Sequence, residues 1–227
     1  MKFKKLLSNI FISPKERRLR AGWRLLVQTI MMLIIGLGLG FLFILLSGPI
    51  QQLHIGSFLS QISELIIITG SVYLARRFID RRSFVSLGLK WNRRASTDIF
   101  VGIAIAGLMM GLIYLLEWGF GWLEFQTFAW QVEPISSVLK NALSMLIVFI
   151  LVGWNEELLS RGYHLQTLAS GINLTWGIII SSAVFGIMHL SNPNATWISA
   201  AGIFLSGIFL AYGYIRSGQL WLSIGLH

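Results

Sequence analysis

The densest group of ionisable side chains in this apolar chain lies between Trp154 and Arg161, in the stretch WNEELLSR. Glu157 and Arg161 are four residues apart, so on a helix they share a face and can pair. Glu156 leaves the same helix about 100° away and is not served by that pair. A free carboxylate beside a paired one is a candidate general base. The same residues would also form an ordinary charged end to a membrane helix, and position alone leaves both interpretations open.

Two histidines supply further groups that could take part in proton transfer. His189 follows Phe185 by four residues, which places both on one helix face. His227 is the last residue of the sequence. A single histidine at a helix end is more often a cap or an interfacial side chain, so each histidine taken alone remains ambiguous.

The spacing of these residues favours a shared site. Gly171 and Asn173, both turn residues, lie midway between Glu156 and His189. A helical hairpin with its apex there places both side chains about 24 Å from the apex, at about 1.5 Å per residue. His227 would lie about 14 Å beyond the next turn, at 217–218. The three depths agree if the first hairpin extends about 10 Å into the cytoplasm, with its first helix continuing to about residue 169.

The candidate residues must be positioned by secondary-structure elements, and the composition indicates that these elements are membrane helices. The chain of 227 residues is 55% hydrophobic and only 12% charged, has a mean hydropathy of +0.73 and contains no cysteine. These values exclude a soluble globular domain, a disordered chain, a disulfide-stapled module and a cysteine-based metal site.

A spanning helix needs about 20 mostly apolar residues. Six segments qualify as complete spans: 25–46, 58–75, 99–116, 138–152 with a polar continuation, 174–190 and 197–215. A seventh begins at Leu220, and the chain looks truncated at His227. We therefore expect an all-α polytopic membrane protein.

The basic residues predict its orientation. Of 18 Lys and Arg, eight lie in 2–24 and seven in 76–94, whereas the connections 47–57 and 117–137 contain none. This positive-inside pattern predicts a cytoplasmic N-terminus, with a basic segment 1–24 before a membrane domain 25–227. We expect the basic clusters to contact anionic lipids at the cytoplasmic face, and we expect no binding to nucleic acid.

Glu64 is a further ionisable residue inside a predicted span. A charge in the hydrocarbon core costs about 2.5–3.5 kcal/mol on insertion scales, so such residues carry functional information. Glu64 and Gln61, three residues earlier on the same face, either line the cavity of the site or lie near the outer interface.

The motifs of this chain resemble those of the CPBP intramembrane proteases, also called the CAAX prenyl protease type II or abortive-infection family. The resemblance rests on E-E-x-x-x-R at 156–161, F-x-x-x-H at 185–189 and LWLSIGLH at 220–227, with a weaker element, RSFVSLGL, at 82–89. It covers about residues 80–227. It implies a helical membrane endopeptidase with a cytoplasm-facing cavity, in the plasma membrane of a bacterium.

The resemblance also implies roles. Glu156 would activate the attacking water with His189 as its partner, and His227 would stabilise the oxyanion together with an asparagine four residues later. The sequence ends at this histidine and does not contain that asparagine. Glu157, Arg161 and Phe185 would support the site. A Glu156, His189 and His227 set could hold zinc with an open position. A metal-free, glutamate-activated water is equally compatible, and we favour the absence of a tightly held metal.

Other functions fit the sequence less well. The substrate implied is a membrane-associated peptide or protein. The alternative is a catalytically silent CPBP-like scaffold or a bacteriocin-immunity protein, which has no need to bury Glu156, Arg161 and His189. The H-E-x-x-H pattern of metalloproteases and the G-x-S-G of rhomboid-like proteases are absent, and both aspartates, Asp80 and Asp98, lie in the basic loop. Inverted repeats that would indicate a transporter are also absent from the sequence.

Overall fold

The computed structural model describes residues 10–14, 16–45 and 56–227. Within these ranges the regular structure is helical apart from one isolated bridge between Ile12 and Leu19. The helices are α1 (Ala21–Leu45), α2 (Gly56–Leu74), α3 (Arg93–Gly119), α4 (Ala129–Val132), α5 (Ile135–Glu157), α6 (Gln166–Gly171), α7 (Leu174–Met188), α8 (Trp197–Ser217) and α9 (Trp221–Leu226).

Five helical stretches of the described chain are long and apolar enough to cross a membrane. They are α1, α3, the continuous stretch Ile135–Gly171, the stretch Leu174–Ser191 and α8. The all-α polytopic membrane fold is therefore confirmed. Helix α2 coincides with the predicted second span but is not one of these five, so the count of six complete spans stays a prediction.

The hairpin that was expected to carry the site is present. The helix that begins at Ile135 continues to Gly171 because a π-helical segment, Leu158–Leu165, joins α5 to α6. Leu158, Leu159 and Leu165 are buried there and hold the extension against the core. Asn173 then caps α7, since its side chain accepts a hydrogen bond from the Trp176 N–H at 2.9 Å. The hairpin interpretation, with its apex at 171–173, is confirmed.

Helix α9 is fixed against α3 by two glycines. A Cβ at Gly225 would lie 2.4 Å from the carbonyl oxygen of Ile99, and a Cβ at Gly102 would lie 2.6 Å from that of Leu222. No other residue allows this approach of the two backbones. The turn before α9 uses Gly218, whose φ of 69° ends α8 in a left-handed cap. Together these glycines determine where His227 lies.

Three arginines of the basic clusters surround one buried carboxylate. The Asp80 carboxylate, with no exposed side-chain area, accepts hydrogen bonds from Arg24 at 3.0 Å, Arg76 at 3.2 Å and Arg18 at 3.4 Å. Arg24 also donates to Ser170 Oγ at 2.6 Å. The network joins the start of α1 and the segment before it to the ends of α2 and α6. The contact of the basic clusters with anionic lipids stays a prediction.

Candidate active site

Glu156, His189 and His227 lie next to one another in the helical bundle. The Nε2 atom of His189 lies 3.6 Å from Oε1 of Glu156, and the Nε2 atom of His227 lies 3.4 Å from Oε2. The three residues come from α5, the end of α7 and the end of α9. The structure thus brings together all three residues that the sequence singled out as candidates for chemistry.

Glu157 and Arg161 form the buried pair that their spacing predicted. Arg161 Nη1 donates to Glu157 Oε1 at 2.7 Å, and its Nη2 donates to the carbonyl oxygen of Gly207 in α8 at 3.2 Å. The Glu157 side chain has no exposed area. A charge-assisted bond of this length is strong, and it commits the carboxylate of Glu157 to a structural contact.

Phe185 links this pair to His189. Its ring lies under the Arg161 guanidinium at 4.3 Å and meets the His189 ring edge to face at 4.6 Å. Its carbonyl oxygen, one turn before His189, lies 2.8 Å from His189 Nδ1. Because a carbonyl only accepts, Nδ1 carries the hydrogen, and Nε2 faces Glu156. The F-x-x-x-H spacing therefore fixes both the position and the tautomer of the histidine.

His227 lies between the two neighbouring carboxylates. Its Nδ1 atom is 3.3 Å from Glu157 Oε1, while Nε2 faces Glu156. Gly153 packs beside this residue, since a Cβ at that position would be in ordinary contact with the His227 Cβ at 3.4 Å. A doubly protonated imidazole has a carboxylate acceptor for each N–H in this position.

A cavity of about 210 Å³ opens beside these groups. Its lining includes Glu156, His189 and, from α2, Glu64. The sequence left two interpretations of Glu64 open, a position in the cavity and a position near the outer interface. The structure places Glu64 on the cavity wall. Gln61 is not part of the lining.

Comparison with known proteins identifies the segment that carries this site. Residues 138–227 match the family described as Type II CAAX prenyl endopeptidase Rce1-like. This match confirms the resemblance to the CPBP proteases over the C-terminal segment, and Glu156, His189 and His227 all lie within the residues that are similar to the Rce1-like family.

One relative of the whole chain comes from Escherichia coli and bears the name "Uncharacterized 24.3 kDa protein". It is 29% identical over 144 residues, which are 63% of this chain and 60% of that protein. The match thus spans about three fifths of the relative's length. No solved structure matches the chain.

The side chains near the site do not fit a metal centre. In the described ranges, no group of three or more His, Cys, Asp and Glu side chains is arranged so that it could hold a metal ion. Glu156, His189 and His227 are neighbours, but Glu156 lies between the two rings and His227 is engaged by Glu157. No step of the chemistry below is therefore routed through a metal.

Two features of the segment 138–227 were not predicted from the sequence. Ser160 lines the cavity although the residue is only 6% exposed. The glycines that seat α9 were not singled out either, although Gly225 stands two residues before His227 and signals a close backbone approach. The position of Ser160 has no sequence signal, because it follows from the π-helical segment in which the residue lies.

Proposed function

We propose that this protein is an intramembrane endopeptidase that hydrolyses a peptide bond of a membrane-associated peptide or protein, with Glu156 as the general base. One observation carries the proposal. Of two adjacent glutamates, Glu157 is buried and bonded to Arg161 at 2.7 Å, while Glu156 faces a cavity between two imidazole rings. The similarity of residues 138–227 to the Rce1-like family supports the same reaction class.

The two histidines differ in the partners of their ring nitrogens. The Nδ1–H of His189 donates to the carbonyl oxygen of Phe185, so its Nε2 atom remains to accept a hydrogen bond from water in the cavity. Carboxylate oxygens of Glu157 and Glu156 lie opposite Nδ1 and Nε2 of His227, so His227 serves as a hydrogen-bond donor in the proposed reaction.

The proposed reaction follows from these contacts. A water molecule in the cavity donates one hydrogen bond to Glu156 Oε1, the oxygen that lies 3.6 Å from His189 Nε2, and the other to His189 Nε2 itself. Glu156 takes the first proton while the water oxygen bonds to the substrate carbonyl carbon. The His227 Nε2–H then stabilises the oxyanion. Glu156 passes its proton to the amide nitrogen, the C–N bond breaks, and an acid and an amine leave.

The same proposal includes the surroundings of the site. The basic segment 1–24 and the loop 76–94 lie in the cytoplasm of a bacterial cell, and their exposed residues contact anionic lipids of the plasma membrane. The protease core extends over residues 80–227 of a membrane domain 25–227. Nucleic acid is not a partner, since the positive charge flanks apolar spans.

The test is cleavage of a membrane-associated peptide by the full chain reconstituted in liposomes. Glu156→Gln keeps the shape of the side chain and removes the base, and we expect a loss of about 10²–10⁴-fold in rate. His189→Ala should be comparably damaging, with the double variant little worse than either, because residues that act as a unit are not additive. Glu117→Gln, the same change on α3, is the matched control.

Thermal melting in detergent checks that each variant is folded. A folded Glu156→Gln protein that cleaves at the wild-type rate would refute the mechanism. Loss of wild-type activity on chelation, restored by zinc, would keep the three residues but make them metal ligands.

A further inference from the structure

Two side chains in the lining of the cavity can accept hydrogen bonds and have no donor among the described residues. Glu64, from α2, lines the cavity together with Glu156. Ser160 lines it from the π-helical segment; the residue is 6% exposed, and its hydroxyl makes no hydrogen bond among the described residues. This hydroxyl is available to bind a ligand or water in the cavity.

Glu64 has no cation to balance it in the described part of the chain. It makes no hydrogen bond and no ion pair there, and the described lining of the cavity includes neither lysine nor arginine. Arg161, the buried cation of the site, is committed to Glu157 and Gly207. The Glu64 residue is exposed to the cavity and to the groove described below. A carboxylate in a predicted membrane span is costly unless it is protonated or paired with a cation, and a ligand can supply that cation.

An apolar groove begins at the same carboxylate. It has a volume of about 430 Å³, runs between α1 and α2, and is lined by Leu39, Phe43, Ile67 and Glu64 among others. Glu64 is the residue that both spaces share. A ligand that fills both therefore has a positive charge next to an apolar stretch, which a free ion or a soluble polyamine lacks.

We propose that Glu64 is a specificity-determining residue that binds the lysine or arginine side chain of a substrate peptide next to the bond held at Glu156. The apolar residues that adjoin this basic residue in the substrate lie in the groove between α1 and α2, and the Ser160 hydroxyl accepts a further N–H of the cation. This assignment rests on the proposed endopeptidase function and names its substrate class. A basic residue at the cytoplasmic end of an apolar segment is the arrangement that membrane proteins present to such a cavity.

The test uses matched peptides in liposomes that differ at one position flanking the cleaved bond, where lysine is replaced by the uncharged norleucine. Hydrogen bonds to a charged group contribute about 1.5–3 kcal/mol, so wild-type kcat/KM should favour the lysine peptide by about 10- to 100-fold. In Glu64→Gln this ratio should fall to about one. Glu117→Gln, the same change outside the cavity, should keep the wild-type ratio. A Glu64→Gln protein that retains the preference would overturn the assignment.

A binding measurement separates this inference from the proposed reaction. The two labelled peptides are titrated into Glu156→Gln protein in detergent, where no turnover is needed. Tighter binding of the lysine peptide that is lost when Glu64→Gln is added supports the binding site at Glu64. This holds even if the wild-type protein cleaves neither peptide, because the absence of cleavage would count only against the proposed reaction. Equal binding of the two peptides overturns the site even if the protein is a protease, and this comparison requires no folded variant at position 64.

Discussion

Replacement of Arg161 by alanine tests whether the buried pair holds the site together. The change removes the 2.7 Å bond to Glu157, the 3.2 Å bond to Gly207 and the contact with the Phe185 ring. It leaves a carboxylate with no exposed area, served only by His227 at 3.3 Å. Breaking a buried pair from one side costs about 3–5 kcal/mol, and the remaining contact to His227 favours the lower end. At about 2–4 °C per kcal/mol for a chain of this size, the melting temperature should fall by about 6–20 °C.

The matched control for this variant is an ion pair with an exposed arginine and a longer distance. Arg94, 59% exposed, lies 3.8 Å from Asp98, whose side chain is 15% exposed, and ion pairs that water reaches contribute about 0–1 kcal/mol. Arg94→Ala should therefore melt within about 4 °C of wild type. Melting curves in detergent and cleavage in liposomes are measured for both. An Arg161→Ala protein that melts like wild type but is inactive would refute the structural role and place Arg161 in substrate binding.

Two further predictions concern the packing of α9 and the segment before α1. Gly225→Ala should lower the melting temperature and the cleavage rate together, because its Cβ would lie 2.4 Å from Ile99 O and overpacking costs about 1–3 kcal/mol. Wild-type activity in Gly225→Ala would show that the close packing of α9 against α3 is not needed to position His227. The hydrogen bond from Arg18 lowers the pKa of Glu16 below its ordinary value of 4.5. Glu16 therefore stabilises the fold above that value and loses its contribution as the pH falls through the lowered pKa. Melting from pH 7 to pH 3 should show wild type approaching Glu16→Gln at the acid end, and a constant gap would contradict this.

The site could be predicted from the sequence where local helix geometry decides it. The pairing of Glu157 with Arg161 follows from a spacing of four residues, and the common level of Glu156 and His189 follows from the rise per residue and the turn at 171–173. Both are properties of a single hairpin. The prediction required only that the helix continue past residue 152.

Contacts between distant segments could not be predicted in the same way. Two of the arginines that surround Asp80 are 56 and 62 residues away from it along the chain, and the third is at the same helix end. The spacing of the basic residues does not distinguish these arginines from basic residues on the surface. Trp154 donates to Thr69 Oγ1 at 2.9 Å across 85 residues. Such partners depend on how α1, α2 and α5 pack, which hydropathy and periodicity do not specify.

The two adjacent glutamates can have different roles because neighbouring side chains leave a helix about 100° apart. Glu157 faces the interior, where Arg161 and His227 both reach its Oε1 atom. Glu156 faces the cavity, where its side chain is 23% exposed. Glu156 is therefore reached from the cavity and is not bonded to Arg161, as the proposed reaction requires of its base.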